Sequence, residues 1–400
     1  MITKINIIEK EYKLIFHFLM YNFKEMFRRS IIKNLAYLTL AFIILFDSTR
    51  GNYGGLTLCA VARAIPIMSY FKNKYKRLNR FLDNKYFDPH SLALCLITMI
   101  LKNYKGDYAI AILDQTSIGD VNVIMAGIPY EGRCMPLAWI AFEYPMSLQC
   151  RSKNYMENII INWIQEIFPK GINPLFIMDR GYARVGLVQM LNAAKQLYII
   201  RSPRNVMVEA TIRGRRKKLT IGRLPHKVGK ITIYKNCLYH SIKQEKVNIY
   251  VYGEPNQKET WYLITPCYIN LPAYEIVKLY KSRMTIEQGF RDWKTHLGLR
   301  GLKLRVRKSE RILRLLMGFS IAYMLILMLG NSELANSLRE YMETERRIAR
   351  HGTKKILSAL TLALSILCSL LFTYEGWQQL KRIINKLNKG KGAFYNCNSP

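Results

Sequence analysis

Two aspartates stand where apolar strands are predicted to end, and their placement points to metal-dependent chemistry. Asp114 follows the apolar run Tyr108–Leu113, and Asp179 follows the run Leu175–Met178. If the two strands are neighbours and parallel, both carboxylates project from one edge of a sheet, where ligands bind in open α/β folds. Paired carboxylates at such an edge suit Mg²⁺ or Mn²⁺, which prefer hard oxygen ligands. Taken singly, each aspartate is also typical of a turn or of a helix cap.

A polar stripe on a predicted helix over residues 280–294 supplies a third carboxylate. Tyr280, Arg283, Glu287 and Lys294 fall within an arc of roughly 60° when each residue turns the helix by about 100°. A helix face that packed against the core would carry apolar residues there, so the stripe indicates a functional face. Glu287 would reach the metal site while its neighbours contact phosphates. The alternative is a solvated face with one Arg283–Glu287 pair, worth a few tenths of a kcal/mol.

These residues together resemble the DDE transposases of bacterial insertion sequences, in particular family four, the group with a Tyr-Arg-Glu-Lys signature. The resemblance rests on Asp114 with Gln115–Thr116, Asp179 with Arg180–Gly181, and the spacing Tyr280-x2-Arg283-x3-Glu287-x6-Lys294. It extends from about residue 56 to about residue 314. The gap of 107 residues between Asp179 and Glu287 also fits, because that family inserts a β-rich domain into an RNase H-like core at this point.

The resemblance implies two-metal phosphoryl transfer on DNA. Asp114, Asp179 and Glu287 would hold two Mg²⁺ (or Mn²⁺) ions, and the attacking groups would be water first and then the freed 3′-OH of the element end. The implied partners are double-stranded DNA, as terminal inverted repeats and as target, and a second copy of the chain in a homodimer on DNA. The implied overall reaction is cut-and-paste transposition.

The resemblance also assigns expected DNA contacts near the metal site. No covalent enzyme intermediate is required, so Tyr280 is expected to contact a phosphate, as are Arg283 and Lys294. Thr116 is expected to steady the loop at Asp114, and Arg180 is expected to approach the DNA backbone. For Thr116 and Arg180, ordinary turn hydrogen bonding is an equally open role.

One departure from the resemblance concerns the inserted region. Relatives that cut through a hairpin intermediate grip a flipped base with a tryptophan of the inserted domain. Residues 202–260 contain no tryptophan, and Trp261 lies on the following predicted strand. The aromatic residues nearby are Tyr234, Tyr239, Tyr250 and Tyr252. The sequence therefore leaves the hairpin route open.

The charge balance favours a polyanionic partner. The chain of 400 residues has 61 Lys and Arg against 27 Asp and Glu, a net charge of +34, while half of its residues are hydrophobic. This composition excludes a disordered chain, and nucleic acid or an anionic membrane surface is the expected partner. Residues 106–200 carry a net charge of only −1, between basic segments of +11 (residues 1–105) and +10 (residues 201–260). That layout predicts a metal-dependent centre inside a polyanion-binding envelope.

The cysteines and the apolar segments indicate where in the cell the protein is expected. The eight cysteines lie far apart, without zinc-ligand or redox spacing, which favours reduced thiols in a cytosolic protein. The first thirty residues show no secretory signal. Residues 315–330 and 356–372 are apolar but at or under the length that crosses a bilayer, so we predict buried core helices. We therefore expect a cytoplasmic protein without a membrane partner.

The predicted fold is α/β, with an RNase H-like mixed sheet interrupted by a β-rich insertion and flanked by helical regions. Short apolar runs separated by turns predict three neighbouring strands, an amphipathic helix at Tyr155–Ile167, and a fourth strand after it. We divide the chain into a helical DNA-binding region (1–105), the first part of the core (106–201), the basic insertion (202–260), the second part of the core (261–314) and a helical C-terminal region (315–400).

Basic clusters outside the predicted centre are further candidates for DNA contact. Helices at Leu56–Ile65 and Tyr70–Leu82 fit a helix-turn-helix pair, in which Lys72, Lys76 and Arg80 would share one face. The run 213–230 holds eight Lys and Arg and no acid, including Arg215, Arg216 and Lys217. A third cluster occupies residues 301–314. For each cluster the alternative is an ordinary solvated basic surface.

Three other functions compete with transposition. An RNase H-like nuclease or resolvase would cut DNA without joining it. A repressor would bind DNA through the helices at 56–82 after losing its chemistry, although binding alone does not require the three carboxylates. A basic membrane-associated protein would use the apolar segments between residues 315 and 372.

Overall fold

A ten-stranded mixed sheet organises the computed structural model, which describes residues 2–48, 56–143, 152–255, 259–302, 308–349, 354–369 and 371–390. In chain order the strands are β1 (Tyr108–Ile118), β2 (Val121–Tyr130), β3 (Arg133–Glu143), β4 (Asn173–Met178), β5 (Leu197–Arg201), β6 (Met207–Ile212), β7 (Arg215–Thr220), β8 (Ile231–Tyr239), β9 (Glu245–Tyr252) and β10 (Trp261–Thr265). Their order across the sheet is β3-β2-β1-β4-β5-β10-β9-β8-β6-β7.

Helices surround this sheet and form both terminal regions, as predicted. They are α1 (Ile2–Phe23), α2 (Arg29–Ser48), α3 (Leu58–Ala64), α4 (Phe71–Leu82), α5 (Pro89–Ile100), α6 (Lys153–Ile167), α7 (Val185–Ala193), α8 (Ala273–Lys281), α9 (Met284–Arg291), α10 (Ser309–Gly330), α11 (Glu333–Met342), α12 (Ala359–Cys368) and α13 (Thr373–Asn388).

The first half of the sheet has the mixed topology predicted from the apolar runs. β1, β2 and β3 form an antiparallel meander, while β4 pairs with β1 and β5 pairs with β4 in parallel. Parallel neighbours need a crossover connection, and α6 and α7 supply the two crossovers. The order β3-β2-β1-β4-β5 is consistent with the RNase H-like core that the resemblance implies.

The second half of the sheet comes mainly from the basic insertion. β10 pairs antiparallel with both β5 and β9, so the insertion strands extend the first half of the sheet. The basic run 213–230 starts at a hairpin between β6 and β7, which turns at Arg213 (φ 49°) and Gly214 (φ 77°). Two consecutive positive φ values are typical of a type I′ turn, whose twist matches antiparallel strands.

Helix α10 forms the centre of the helical core. Nineteen of its 22 residues are buried, and it packs against α2, α12 and β3. Both α10 and residues 29–46 of α2 are long and apolar enough to cross a membrane by length and composition. Buried helices of soluble proteins pass the same test, so these two helices alone are not evidence of a membrane protein. The other predicted apolar helix, 356–372, is shorter than expected and corresponds to α12.

Candidate active site

The register of two parallel strands brings Asp114 and Asp179 together. Leu113 of β1 pairs with Met178 of β4, and the two aspartates are the next residue on each strand path. The condition under which both carboxylates would share one edge, adjacent and parallel strands, is therefore met. One detail was wrong: the chain does not leave the sheet at Asp114, because β1 continues alongside β2 as far as Ile118. Only the parallel pairing with β4 ends there.

Burial dominates the electrostatics of Asp114. It raises the pKa of this carboxyl from 3.8 to about 6, and the nearby charges of Asp179 and Glu287 act in the same direction. Two groups oppose the shift: the Gln115 backbone N–H donates to Oδ1 over 2.7 Å, and Nη1 of Arg283 lies 3.4 Å from Oδ2. Three carboxylates therefore act on one another across this site.

Arg283 connects Asp114 to Glu287. Its guanidinium donates one hydrogen bond to Glu287 and approaches Asp114 on the other side, with a side chain that is only 8% exposed. The Glu287 side chain is 43% exposed. This ion pair is the one that the alternative interpretation of the helix face expected, and the predicted roles of Arg283 at a phosphate and of Glu287 at a metal remain predictions. The guanidinium also provides positive charge beside the neighbouring carboxylates.

The segment 280–294 is not the single regular helix that its sequence predicts. α8 ends at Lys281 and α9 begins at Met284, with i to i+3 hydrogen bonds between them, and a π turn follows at Asp292–His296. A tightened turn rotates the chain by more than 100° per residue and a π turn by less. The four signature residues therefore do not form one straight stripe. The Ser282 and Thr285 hydroxyls, which donate to backbone carbonyls, stabilise the tightened turn.

The helix pair α8–α9 links the two halves of the sheet. α8 packs on β8 and β9 of the insertion, and α9 packs on β1, β2 and β3. The junction between them carries Arg283. The insertion therefore supports the helix pair that brings Glu287 to β1 and its neighbours.

Tyr280 is placed differently from the prediction. It is only 3% exposed, its ring packs edge-on against Trp261 at 5.1 Å, and its hydroxyl has no hydrogen-bond partner among the described residues. Burial raises its pKa to about 12, with the charges of Arg283 and Asp179 also acting on it. The predicted phosphate contact remains a prediction, and it requires the buried hydroxyl to become accessible.

Lys294 lies on the π turn and lines the same cleft as the two aspartates. The turn is held by Asp292, which is 1% exposed. Its carboxylate accepts hydrogen bonds from Nε of Arg133 over 2.6 Å and from the Tyr323 hydroxyl over 3.0 Å. Burial lowers the pKa of Lys294, and the neighbouring charge of Arg300 acts in the same direction. The buried carboxylate thus positions a cation at the cleft.

The cleft has a volume of about 470 Å³ and opens at the ends of β1 and β4. It brings together four predicted residues: Asp114, Thr116, Asp179 and Lys294. Arg180, the first residue of a short 3₁₀ turn after Asp179, is exposed and does not line it. The remaining lining residues are Gln115, Ser117, Asn122, Lys153, Glu157, Gly181 and Tyr182.

Sequence reasoning missed the contribution of α6 to this cleft. Glu157 is 1% exposed and binds Arg184, and Lys153 lies one helical turn earlier with its Nζ 3.8 Å from the same carboxylate. Arg184 also donates to the carbonyl of Asn154 over 3.3 Å. The four-residue spacing of Lys153 and Glu157 was visible in the sequence. The pairing of Glu157 with Arg184 was not, because it depends on how α6 packs against the chain that follows β4.

The donor set fits a divalent cation in part. Both aspartates face the cleft, and Oδ1 of Asp179 is buried without a hydrogen-bond partner in the described part of the chain, which suits a role as a metal ligand. Across the described ranges, no three acidic, His or Cys side chains converge closely enough to hold a metal. Arg283 stands between Asp114 and Glu287, so Glu287 would have to leave the guanidinium to become the third ligand.

The predicted basic face of α4 is present. Lys72, Lys76 and Arg80 are exposed, while Leu78 and Phe81 are buried behind them. α3 precedes α4 with a short turn between, and the two helices pack together. This geometry agrees with the expected helix pair, and its role in reading DNA remains a prediction.

The other predicted basic clusters differ in what can be said of them. Arg215, Arg216 and Lys217 are exposed on β7, the outermost strand of the sheet. Arg216 lies 3.8 Å from Glu209 of the paired strand. Residues 303–307 of the third cluster lie outside the described residues. Contact of any of them with DNA remains a prediction.

A family comparison bears on this site. Residues 145–325 match the family model of the transposase DDE domain. The matched range includes Asp179 and Glu287, begins after Asp114, and spans less than half of the chain. The match supports a DDE transposase, a family of nucleic-acid-processing enzymes that generally use divalent metals. No curated protein matches the chain.

Proposed function

We propose that this protein is a DNA transposase of insertion-sequence family four that cuts the ends of its element and joins them to target DNA. The observation that carries the proposal is the convergence of Asp114 and Asp179 on one cleft from adjacent parallel strands. Arg283 ties Glu287 to that pair. The family match over residues 145–325 supports the same conclusion.

Two Mg²⁺ or Mn²⁺ ions are the proposed cofactors, with Asp114, Asp179 and Glu287 as their protein ligands. When bound, such ions activate the attacking oxygen and stabilise the leaving one. Arg283 neutralises Asp114 and Glu287. Bound ions would supply that positive charge instead, and Arg283 would then be available to a phosphate group.

The reaction needs no residue as nucleophile. Water adds its oxygen to the phosphorus at the element end, the P–O3′ bond breaks, and O3′ takes up the proton to leave a free 3′-OH. That hydroxyl then attacks a second phosphodiester and displaces its 3′ oxygen. Lys294 and Lys153 flank the cleft and bind the phosphates on either side of the reacting one. Holding the strand in line is the chain's main contribution.

Double-stranded DNA is the proposed partner, both as terminal repeats and as target. The net charge of +34 and the exposed cations of α4 and β7 suit it. Transposition joins two ends, so we further propose a homodimer on DNA in the cytoplasm. Trp261 packs beside Tyr280, near Asp179. If cleavage by the protein yields DNA ends closed as hairpins, Trp261 is the candidate for gripping the flipped base.

The test is Mg²⁺-dependent nicking of a labelled duplex that carries the element's own ends. We expect wild type to leave a 3′-OH and then to join it to a target plasmid, and we expect chelation with EDTA to abolish both products. Asp114→Ala should bind DNA and cut nothing, while Asp107→Ala, at an exposed aspartate just before β1, should behave as wild type.

Other outcomes separate the competing functions. Nicking without joined products would indicate a nuclease. Binding by wild type without cleavage in Mg²⁺ or Mn²⁺ would indicate a repressor. Equal cutting by wild type and Asp114→Ala would show that the carboxylates are not the active site.

A further inference from the structure

A second concave surface lies between α2 and α4, which we call the α2–α4 groove. It has a volume of about 460 Å³, and the cations Lys74, Arg77 and Arg80 line it together with Asn34, Asn73 and Asn84. Only Arg80 belongs to the exposed stripe predicted from the sequence. The groove therefore gathers a different set of cations, on the side of α4 that faces α2.

Arg77 is fixed in place before any ligand binds. Its Nε donates to Oδ1 of Asn34 over 2.7 Å, and the Asn34 amide donates in turn to the carbonyl of Ser30 over 2.8 Å. The guanidinium carbon lies 5.2 Å from the centre of the Tyr37 ring, within cation–π range. A guanidinium held on two sides loses little side-chain entropy when it binds an anion.

Lys74 is also held in place, and the charge of the groove is not neutralised. Nζ of Lys74 donates to the carbonyl of Ile65 over 2.8 Å. Within the described ranges, none of the three cations has an acidic partner at salt-bridge distance, and the acid next to the lining Asn84, Asp83, is bound by Arg311. An anion is therefore the expected occupant.

The spacing of the cations favours a chain of phosphates over one small anion. Lys74, Arg77 and Arg80 follow at three-residue intervals, about 4.5 Å apart along the helix axis. A site for one anion would converge its donors on a point, whereas these form a row. We propose that the α2–α4 groove binds the sugar-phosphate backbone of double-stranded DNA. This proposal rests on the proposed function, because it takes DNA as the partner, and it adds a site outside the catalytic cleft.

The experiment measures binding of a fluorescein-labelled element-end duplex by anisotropy in EDTA, so that cleavage plays no part. Two variants test the groove: Arg77→Ala, which removes the fixed cation, and Asn73→Glu, which places a carboxylate at an exposed position of its wall. Asn336→Glu on α11 makes the same change at an exposed site elsewhere and serves as the control. Circular dichroism verifies that each variant folds.

We expect Arg77→Ala and Asn73→Glu to weaken binding about tenfold near 0.1 M salt, and to reduce the slope of log K against log salt by about one. Asn336→Glu should bind like wild type. If both groove variants match the control in affinity and slope, the proposal is overturned. It is also overturned if inorganic phosphate at millimolar concentration raises the Tm of wild type but not of Arg77→Ala while the two proteins bind duplex equally, since the groove would then be a site for a small anion.

The nicking assay separates this proposal from the proposed function. Groove-dependent binding without Mg²⁺-dependent nicking would overturn the transposase proposal and leave the groove standing. Nicking that depends on Asp114, with groove variants that bind normally, would support the transposase proposal and overturn the groove proposal.

Discussion

Nη1 of Arg283 lies 3.4 Å from Oδ2 of Asp114, although the two residues lie 169 positions apart in the chain. The same guanidinium donates to Glu287. One buried cation thus joins a carboxylate of the central sheet to a carboxylate of the helix that packs over it. Because a planar guanidinium can serve two carboxylates at once, lysine cannot replace it.

Arg283→Lys should therefore lose nicking activity, by on the order of 10²-fold, because the ammonium lacks the planar fork with which the guanidinium would bind the reacting phosphate. Binding of duplex DNA should change little. The measurement is single-turnover nicking at saturating protein. Arg291→Lys, on the exposed side of α9, should cut at the wild-type rate. Equal rates for both variants would contradict a special role for Arg283.

Asp114 should make stability depend on pH in the metal-free protein. Its pKa is raised from 3.8 to about 6 mainly by burial, so the folded state holds the proton more tightly than the unfolded state. Its stabilising contribution is complete below pH 3.8 and is lost as pH rises through about 6. Asp114→Asn should then be more stable than wild type at pH 7.5, by on the order of 1–3 kcal/mol.

The measurement is Tm against pH in EDTA for wild type and Asp114→Asn. The two curves should converge at acid pH and separate above pH 6. Asp107→Asn should follow wild type throughout. Curves that run parallel across the whole range would show that the charge of Asp114 does not govern the difference.

Lys153 should contribute to DNA binding at the catalytic cleft. Arg184 already neutralises Glu157, so the Lys153 ammonium, half exposed and 3.8 Å from that carboxylate, is available to a phosphate. Lys153→Ala should lower the salt slope of binding by about one and slow nicking. Lys170→Ala, at an exposed lysine just after α6, is the matched control and should change neither quantity.

Removing one member of the Glu157–Arg184 pair should destabilise the fold, mainly because the charge of the other member is left unpaired. Glu157→Ala would leave Arg184 without its carboxylate and should cost about 2–3 kcal/mol, discounted because Arg184 is 24% exposed. The double variant Glu157→Ala, Arg184→Met should recover part of that loss. Urea denaturation measures both, and Glu166→Ala, 67% exposed on the same helix, should lie within about 0.5 kcal/mol of wild type.

Two glycine substitutions should have opposite effects on stability. A Cβ on Gly330, at the end of α10, would clash with the carbonyl oxygen of Ala359, so Gly330→Ala should cost at least about 2 kcal/mol. Gly186 of α7 has open space around it, and Gly186→Ala should stabilise the protein by about 0.5 kcal/mol. Thermal unfolding without detergent compares the two variants. If the protein stays in solution in these samples, α10 acts as a buried core helix and not as a membrane span.

The parts of the site that local pattern determines were predictable. Apolar runs before Asp114 and Asp179, with an amphipathic helix between, predict parallel neighbours joined by a crossover, and the register of Leu113 with Met178 agrees. The contact of Arg283 with Glu287 follows from a four-residue spacing, which survives small changes in helix geometry.

The parts that depend on tertiary packing were not. The segment 280–294 has no proline to mark a helix end, yet its turns tighten at Ser282 and widen at Asp292, because the chain must pack on the insertion strands and on β1–β3 at once. Tyr280 is consequently turned into the core. Likewise the pairing of Glu157 could not be assigned from sequence, because Glu157 lies on the crossover helix α6 and its partner Arg184 follows β4, 27 residues later.

The helix pair α8–α9 also determines when the centre can exist during synthesis. Ribosomes make the chain from its N-terminus, so Asp114 and Asp179 emerge long before Arg283 and Glu287. The surface on which α8 packs is built by β8 and β9, which lie between them in the chain. A polypeptide cut short anywhere before α9 lacks Glu287, so the three proposed ligands can come together only after this helix has been synthesised.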